Sequence, residues 1–241
     1  QILNDVQNNV ANGTKEILLV GQDVTLYNDN GYTLENLLRD ICLLQGSFWV
    51  RLLYCHPDHL GSEVIELINK EKKIVPYIDI PFQHVNSTIL KSMGRKGDYK
   101  TYLNLINTLR TEVPTIKIRS TFMVGYPGET EDNFKELLSF LDEAQIDKVG
   151  AFMYSREEGT DSFSLGDPVS KAEKLTRYNT LMEFQQSISY TKLQNFISNL
   201  EDIIFSWQML LIAIGFISLA GRNYTGAIIL FAIGGFFLLP D

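Results

Sequence analysis

Thr121-Phe-Met-Val-Gly-Tyr-Pro-Gly-Glu-Thr130 joins the end of a buried strand to the start of a helix through a tight turn. The apolar and β-branched run 116–124 predicts a strand covered on both faces. Gly125 and Gly128 permit backbone angles that a side chain disfavours, and Pro127 stiffens the turn between them. Thr130 is placed to cap the following helix, with Glu131 and Asp132 favourably set in its first turn. Glycines in such a turn also let a ligand approach main-chain amides, although a short glycine motif serves equally well as a plain strand-to-helix connection.

The same alternation repeats on either side. Strands are expected at 16–20, 48–55, 74–80 and 148–154, and helices begin after Thr33, at Ser62, near Ser87 and at Ser170. Leu34, Leu37, Leu38 and Ile41 repeat at helical spacing, as do Phe134, Leu137, Leu138 and Leu141. At least five strand–helix units in succession predict an α/β fold with a parallel sheet. The polar residues gather just after the strands: Gln22-Asp23, His56 to His59, Gln83-His84, Gly125 to Glu129, and Ser155 to Thr160. The carboxyl ends of parallel strands form the binding face of such folds, so this rim is the expected site. All three histidines fall on it.

Composition narrows the function classes. A net charge of -8 with no basic stripe argues against direct nucleic-acid binding. Cys42 and Cys55 lie too far apart for a short ligand motif and are expected as buried thiols of a reducing compartment. His56, His59 and His84 suggest a metal. Yet the His-x-x-His spacing with Pro57 inside does not sit on a helix, so contact with substrate or cofactor is expected and no metal site. Asp23, Asp58 and Glu129 are available for acid–base work. Residues 203–221 and 225–240 carry no charge, with Arg222-Asn223-Tyr224 between them, which suggests a membrane hairpin joined to the barrel by a helical connector, 190–202.

Taken together, Gln22-Asp-Val-Thr25, Trp49-Val-Arg-Leu-Leu-Tyr-Cys-His-Pro-Asp-His59, Tyr77-Ile-Asp-Ile-Pro-Phe-Gln-His84, Arg119-Ser-Thr-Phe-Met-Val-Gly-Tyr-Pro-Gly-Glu129 and Tyr154-Ser-Arg-Glu-Glu-Gly-Thr160 resemble the radical S-adenosylmethionine methylthiotransferases. The resemblance covers 1–189 and is nearest to the branch that modifies an aspartate of ribosomal protein S12. It implies a partial TIM-type β/α barrel, lacking its first strand, that works in the cytoplasm with S-adenosylmethionine and [4Fe–4S] clusters. By position it implies cofactor contacts for Gln22, Asp23, Arg119, Gly125, Gly128 and Glu129. His56, Asp58, His59, Gln83 and His84 would face the substrate.

The departures are specific. The family's Cys-x-x-x-Cys-x-x-Cys loop, the cysteines of its second cluster and its C-terminal β-rich domain have no counterpart in the sequence. Two distant cysteines cannot hold an iron–sulfur cluster, so the chain alone is expected to be inactive. The sister branch acting on tRNA and a non-catalytic, membrane-tethered binding module are the alternative readings. The abrupt change of composition near Gln194 also fits a fusion or frameshift.

Overall fold

The computed structural model describes residues 1–220. The chain forms two compact units, Gln1–Ile188 and Ser189–Asp241. In the first, α1 (Ile2–Ala11) precedes β1 (Glu16–Leu19), and a short hairpin of β2 (Asn28–Asp29) and β3 (Tyr32–Thr33) leads to α2 (Leu34–Leu43). Then follow β4 (Trp49–Leu52), α3 (Ser62–Lys70), β5 (Tyr77–Asp79), α4 (Ser87–Ser92), α5 (Tyr99–Glu112), β6 (Lys117–Val124), α6 (Glu131–Ala144) and β7 (Lys148–Met153). The last described element is α7 (Lys171–Ala220).

β1 pairs in parallel with β4, and β5, β6 and β7 form a second parallel set in that order. The two sets are stitched by a parallel bridge between Val50 and Ile74 and by the Cys55 amide donating to the Asp79 carbonyl at 2.8 Å. The main strands therefore run β1-β4-β5-β6-β7, each reached through a helix, which is the sequence of a β/α barrel left open at its edges.

Alternation sorts the two faces. Val50, Leu52, Ile78, Ile80, Ile118, Phe122 and Val124 are wholly buried beneath the helices, where Leu37, Leu38, Ile41, Leu137, Phe140 and Leu141 meet them. The intervening residues line the open face: Leu18, Trp49 and Phe152 are exposed there, Arg51 lies over the Tyr77 ring at 4.5 Å, and Arg119 bonds Asp79. β6 is thus covered on its helix side, while Arg119 and Met123 keep partial exposure on the other, rather than being sealed on both sides.

Local chemistry sets the helix starts. Thr130 accepts from the Asn133 amide at 3.2 Å while its own amide donates to Asn133 Oδ1 at 3.0 Å, a reciprocal cap ahead of Glu131 and Asp132. Asn86 caps α4 by accepting from the Thr88 and Ile89 amides, Asp98 caps α5 by accepting from the Thr101 amide, and 94–97 separates those helices.

The expected connector, 190–202, is helical. α7 continues without a break through 190–202 to Ala220, because neither proline nor glycine occurs between Lys171 and Ile214 to stop it. No helix among the described residues is long and apolar enough to cross a membrane. Residues 225–240, the expected second arm, lie outside the described residues.

Candidate active site at the strand ends

The loops after β1 and β4 meet first. Asp23 begins a single 3₁₀ turn and receives the Thr25 amide at 3.0 Å, the Thr25 hydroxyl and the His56 amide at 3.3 Å, all on Oδ1. Its Oδ2 lies 2.7 Å from His59 Nδ1. A turn closed by the His59 amide on the His56 carbonyl stacks the two imidazoles with centroids 4.7 Å apart. Burial is the largest influence on the Asp23 carboxyl and pushes its pKa up, but the hydrogen bonds from Thr25, His59 and His56 together outweigh it and hold it below the usual value. Burial, with Arg95 nearby, lowers the pKa of His56. Asp58 sits at the lip of this turn, its amide donating to His56 Nδ1 at 3.2 Å. Gln22, next to Asp23 in the chain, is exposed.

The loops after β5 and β6 form a second cluster of opposite character. Gln83, at φ 69°, donates its amide to the Thr121 carbonyl and accepts from the Met123 amide, which extends the pairing of β5 and β6 by one bridge. His84 and Glu129 have no exposed side-chain surface, and His84 Nε2 stands 3.7 Å from Glu129 Oε1. Glu129 Oε2 takes the Gly125 amide and lies 3.2 Å from Arg177 Nη1, which also donates to the Glu129 carbonyl. Arg177 in turn pairs with Glu173, and Lys174 with Asp167 and the Tyr154 carbonyl.

Gly125 (φ 73°) owes its identity to this packing as well as to its backbone angle: a Cβ there would come within 2.3 Å of Lys174 Cγ. A Cβ on Gly128 (φ 90°) would meet nothing nearer than Ile89 Cδ1 at 4.0 Å. The amide of Gly125 is therefore committed to the protein's own carboxylate, whereas the notion of a glycine turn open to a ligand suits Gly128, which is exposed.

Arg119 lies within β6 rather than at its end. Its Nη1 donates to Asp79 Oδ2 at 2.8 Å, and 38 % of the side chain remains exposed. Burial raises the Asp79 pKa despite this guanidinium. The segment 155–162 closes the rim, joining Gln83, Met93, Arg95, Met123, Tyr126 and Tyr154 around a cavity of about 430 Å³. A second cavity, about 640 Å³, lies between the His56–His59 turn and the Gly94–Asp98 loop.

The residues singled out from sequence thus fall into two groups of contacts, Asp23 with His56, Asp58 and His59, and His84 and Gly125 with Glu129, while Gln83 bonds the backbone of β6 and Arg119 pairs with Asp79. Sequence reading missed Asp79, Arg95, Lys174 and Arg177. Lys174 and Arg177 belong to a stripe with Leu181, Gln185 and Ile188 that is buried at helical spacing, and its polar members hide it from an apolar periodicity search.

The cysteines do not fit a cluster. Cys55 is fully buried, which pushes its thiol to about 12, and burial raises Cys42 to about 11, so both stay protonated near neutrality. Iron–sulfur ligation needs thiolates in a fixed array.

Comparison with known proteins agrees with this architecture. The chain matches the radical SAM superfamily over residues 1–141. It is 46% identical over 194 residues to the ribosomal protein uS12 methylthiotransferase RimO of Thermodesulfovibrio yellowstonii, covering 80% of this chain and 46% of that protein. The corresponding protein of Geotalea uraniireducens is 42% identical over 193 residues, with 79% of this chain and 43% of the relative covered. The chain therefore spans just under half the length of these relatives. Among solved structures, the coproporphyrinogen III oxidase HemN of Escherichia coli, a radical SAM enzyme, superposes with a TM-score of 0.57 at 15% identity over 77% of this chain and 45% of that one. Methanocaldococcus infernus Elp3 gives 0.53 at 13% identity, covering 74% and 49%. On the superfamily match, which takes in β1 to β6 and most of α6, this chain belongs to the radical SAM superfamily.

Proposed function

We propose that residues 1–189 are the barrel core of a methylthiotransferase that, as a whole enzyme, inserts a methylthio group on ribosomal protein uS12, at an aspartate, in the cytoplasm. The observation that carries this reading is the 46% identity over 194 residues to a uS12 methylthiotransferase, since any stretch of that length in this chain takes in the loops after β4, β5, β6 and β7. In such an enzyme S-adenosylmethionine and a [4Fe–4S] cluster supply the radical.

Within this chain, Arg119 keeps guanidinium surface beyond its bond to Asp79 and suits the cofactor's carboxylate, for which a planar fork is the matching shape. Gln22 is exposed at the mouth and suits the amino group. Tyr126, Tyr154, Met93 and Met123 give the 430 Å³ cavity apolar walls of a kind that accept an aromatic base, with Gln83 and Ser155 as polar partners. Asp23 and Glu129 act through the loops they hold, the first after β1 and the second at the Gly125–Gly128 turn. His56, Asp58 and His59 face the remaining opening, toward the protein substrate. His84 is a positioning residue beneath it.

A graft tests the reading. The matching segment of the T. yellowstonii relative is replaced by the segment of this chain, so that the graft carries the relative's own cluster cysteines. Mass spectrometry of uS12 is expected to show methylthiolation by the graft and none by this chain alone. A graft that binds its clusters and cleaves S-adenosylmethionine but leaves uS12 unmodified, or modifies tRNA instead, overturns it.

A further inference from the structure

We propose that Asp23, His56 and His59 bind one divalent cation of the zinc, iron(II) and cobalt(II) class at the mouth of the barrel, leaving an open coordination position toward the cavity bounded by Gly94–Asp98. The proposal stands apart from the methylthiotransferase reading, because it uses no cysteine and no bound cofactor.

Each of the three residues offers one ligand atom, and these lie within 4.8 Å of one another. Two imidazoles and one carboxylate are the donors that such ions take, with metal–nitrogen and metal–oxygen distances of about 2.0–2.2 Å. The carboxylate of the set is held in advance of any ion. Asp23 Oδ1 is fixed by Thr25 and the His56 amide, which orients Oδ2 at His59 Nδ1. Outer bonds of this kind are what fix metal-binding carboxylates. The His56–His59 turn, with Pro57 buried inside it, keeps the two rings stacked.

The ion enters by replacing the proton between Asp23 Oδ2 and His59 Nδ1, which leaves for solvent, and a ring nitrogen of His56 completes three protein ligands. Three protein ligands and a vacant fourth position are the pattern of a site that takes water or a substrate atom. The cavity of about 640 Å³ beside it has room for that fourth ligand, and its wall carries Asp58 and Asp98 against Lys96, with Arg95 near His56. His84, the remaining histidine, takes no part, being enclosed with Glu129.

The full chain is titrated with Zn²⁺ by calorimetry and with Co²⁺ by visible absorption. One equivalent is expected to bind, with the ring nitrogens of His56 and His59 shifting in nuclear magnetic resonance while those of His84 stay in place. H59A and D23N are expected to weaken binding by at least about tenfold, and K96A to leave it unchanged. Absence of saturable binding, undiminished binding in H59A and D23N, or a shift at His84 equal to the others overturns the site. Should either variant lose its near-ultraviolet dichroism, the three histidine signals of the unaltered chain decide alone.

Discussion

Two polar clusters occupy the same level of this barrel and have opposite fates. The Gly125–Glu129 turn is roofed by α7: Glu129, His84, Lys174 and Arg177 are almost entirely withdrawn from solvent. The Asp23–His56–His59 cluster keeps an open side next to a large cavity. Being at the carboxyl end of a strand is therefore not enough to make a residue available for chemistry. Whether a helix lies over it decides, because a buried charge must be paired by the protein itself and is then spent on structure.

The largest effect expected from this contrast is at Arg177. Arg177→Ala leaves Glu129 buried without its cation and should cost about 3–5 kcal/mol, read from the urea unfolding midpoint. A loss below about 1 kcal/mol, the size typical of exposed pairs, would place the two clusters on an equal footing and break the distinction.

The glycines sharpen it at an intermediate scale. Gly125→Ala meets both the left-handed backbone and Lys174, whose end is anchored to Tyr154 and Asp167, so about 2–4 kcal/mol is expected. Gly128→Ala meets the backbone penalty alone, about 1–2 kcal/mol. Equal losses would show that packing under α7 adds nothing at Gly125.

The smallest effect is the acid response of the open cluster. His56 has a lowered pKa in the fold, so below the ordinary 6.5 the unfolded chain takes the proton first and stability falls as pH drops through that window. Asp23 is also lowered, from 3.8, and its contribution is present above that value and lost on further acidification through its folded pKa. His56→Gln should flatten the first limb and Asp23→Asn the second, each by about 1 kcal/mol or less. Unfolding midpoints measured across both windows check this, and a stability that rises on acidification would reverse the assignment.

How much of this could be read from residues alone differs between the clusters. Thr130 ahead of Glu131, and Thr33 ahead of Leu34, were visible as caps because capping acts within one turn, while the reciprocal bond from Asn133 was not read. The strand-end position of His56 and Gln83 followed from the strand–helix alternation. The approach of Asp23 to His59 did not, since it spans 36 residues and depends on β1 lying against β4. Weighing His56 and His59 only by whether they share a helix left out of view that a turn brings the two rings together beside a carboxylate from another loop.

The order of strands and helices, the parallel sheet and the polar rim belong to the sequence by itself, because periodicity, turn residues and caps are local properties of the chain. Tertiary structure alone decided that Lys174 and Arg177 turn inward, that Glu129 holds the Gly125 amide, and that Asp23 and two histidines share one opening. The physical reason is that desolvation and ion pairing depend on what else arrives in the same volume, and no stretch of sequence carries that information until the sheet has brought distant loops together.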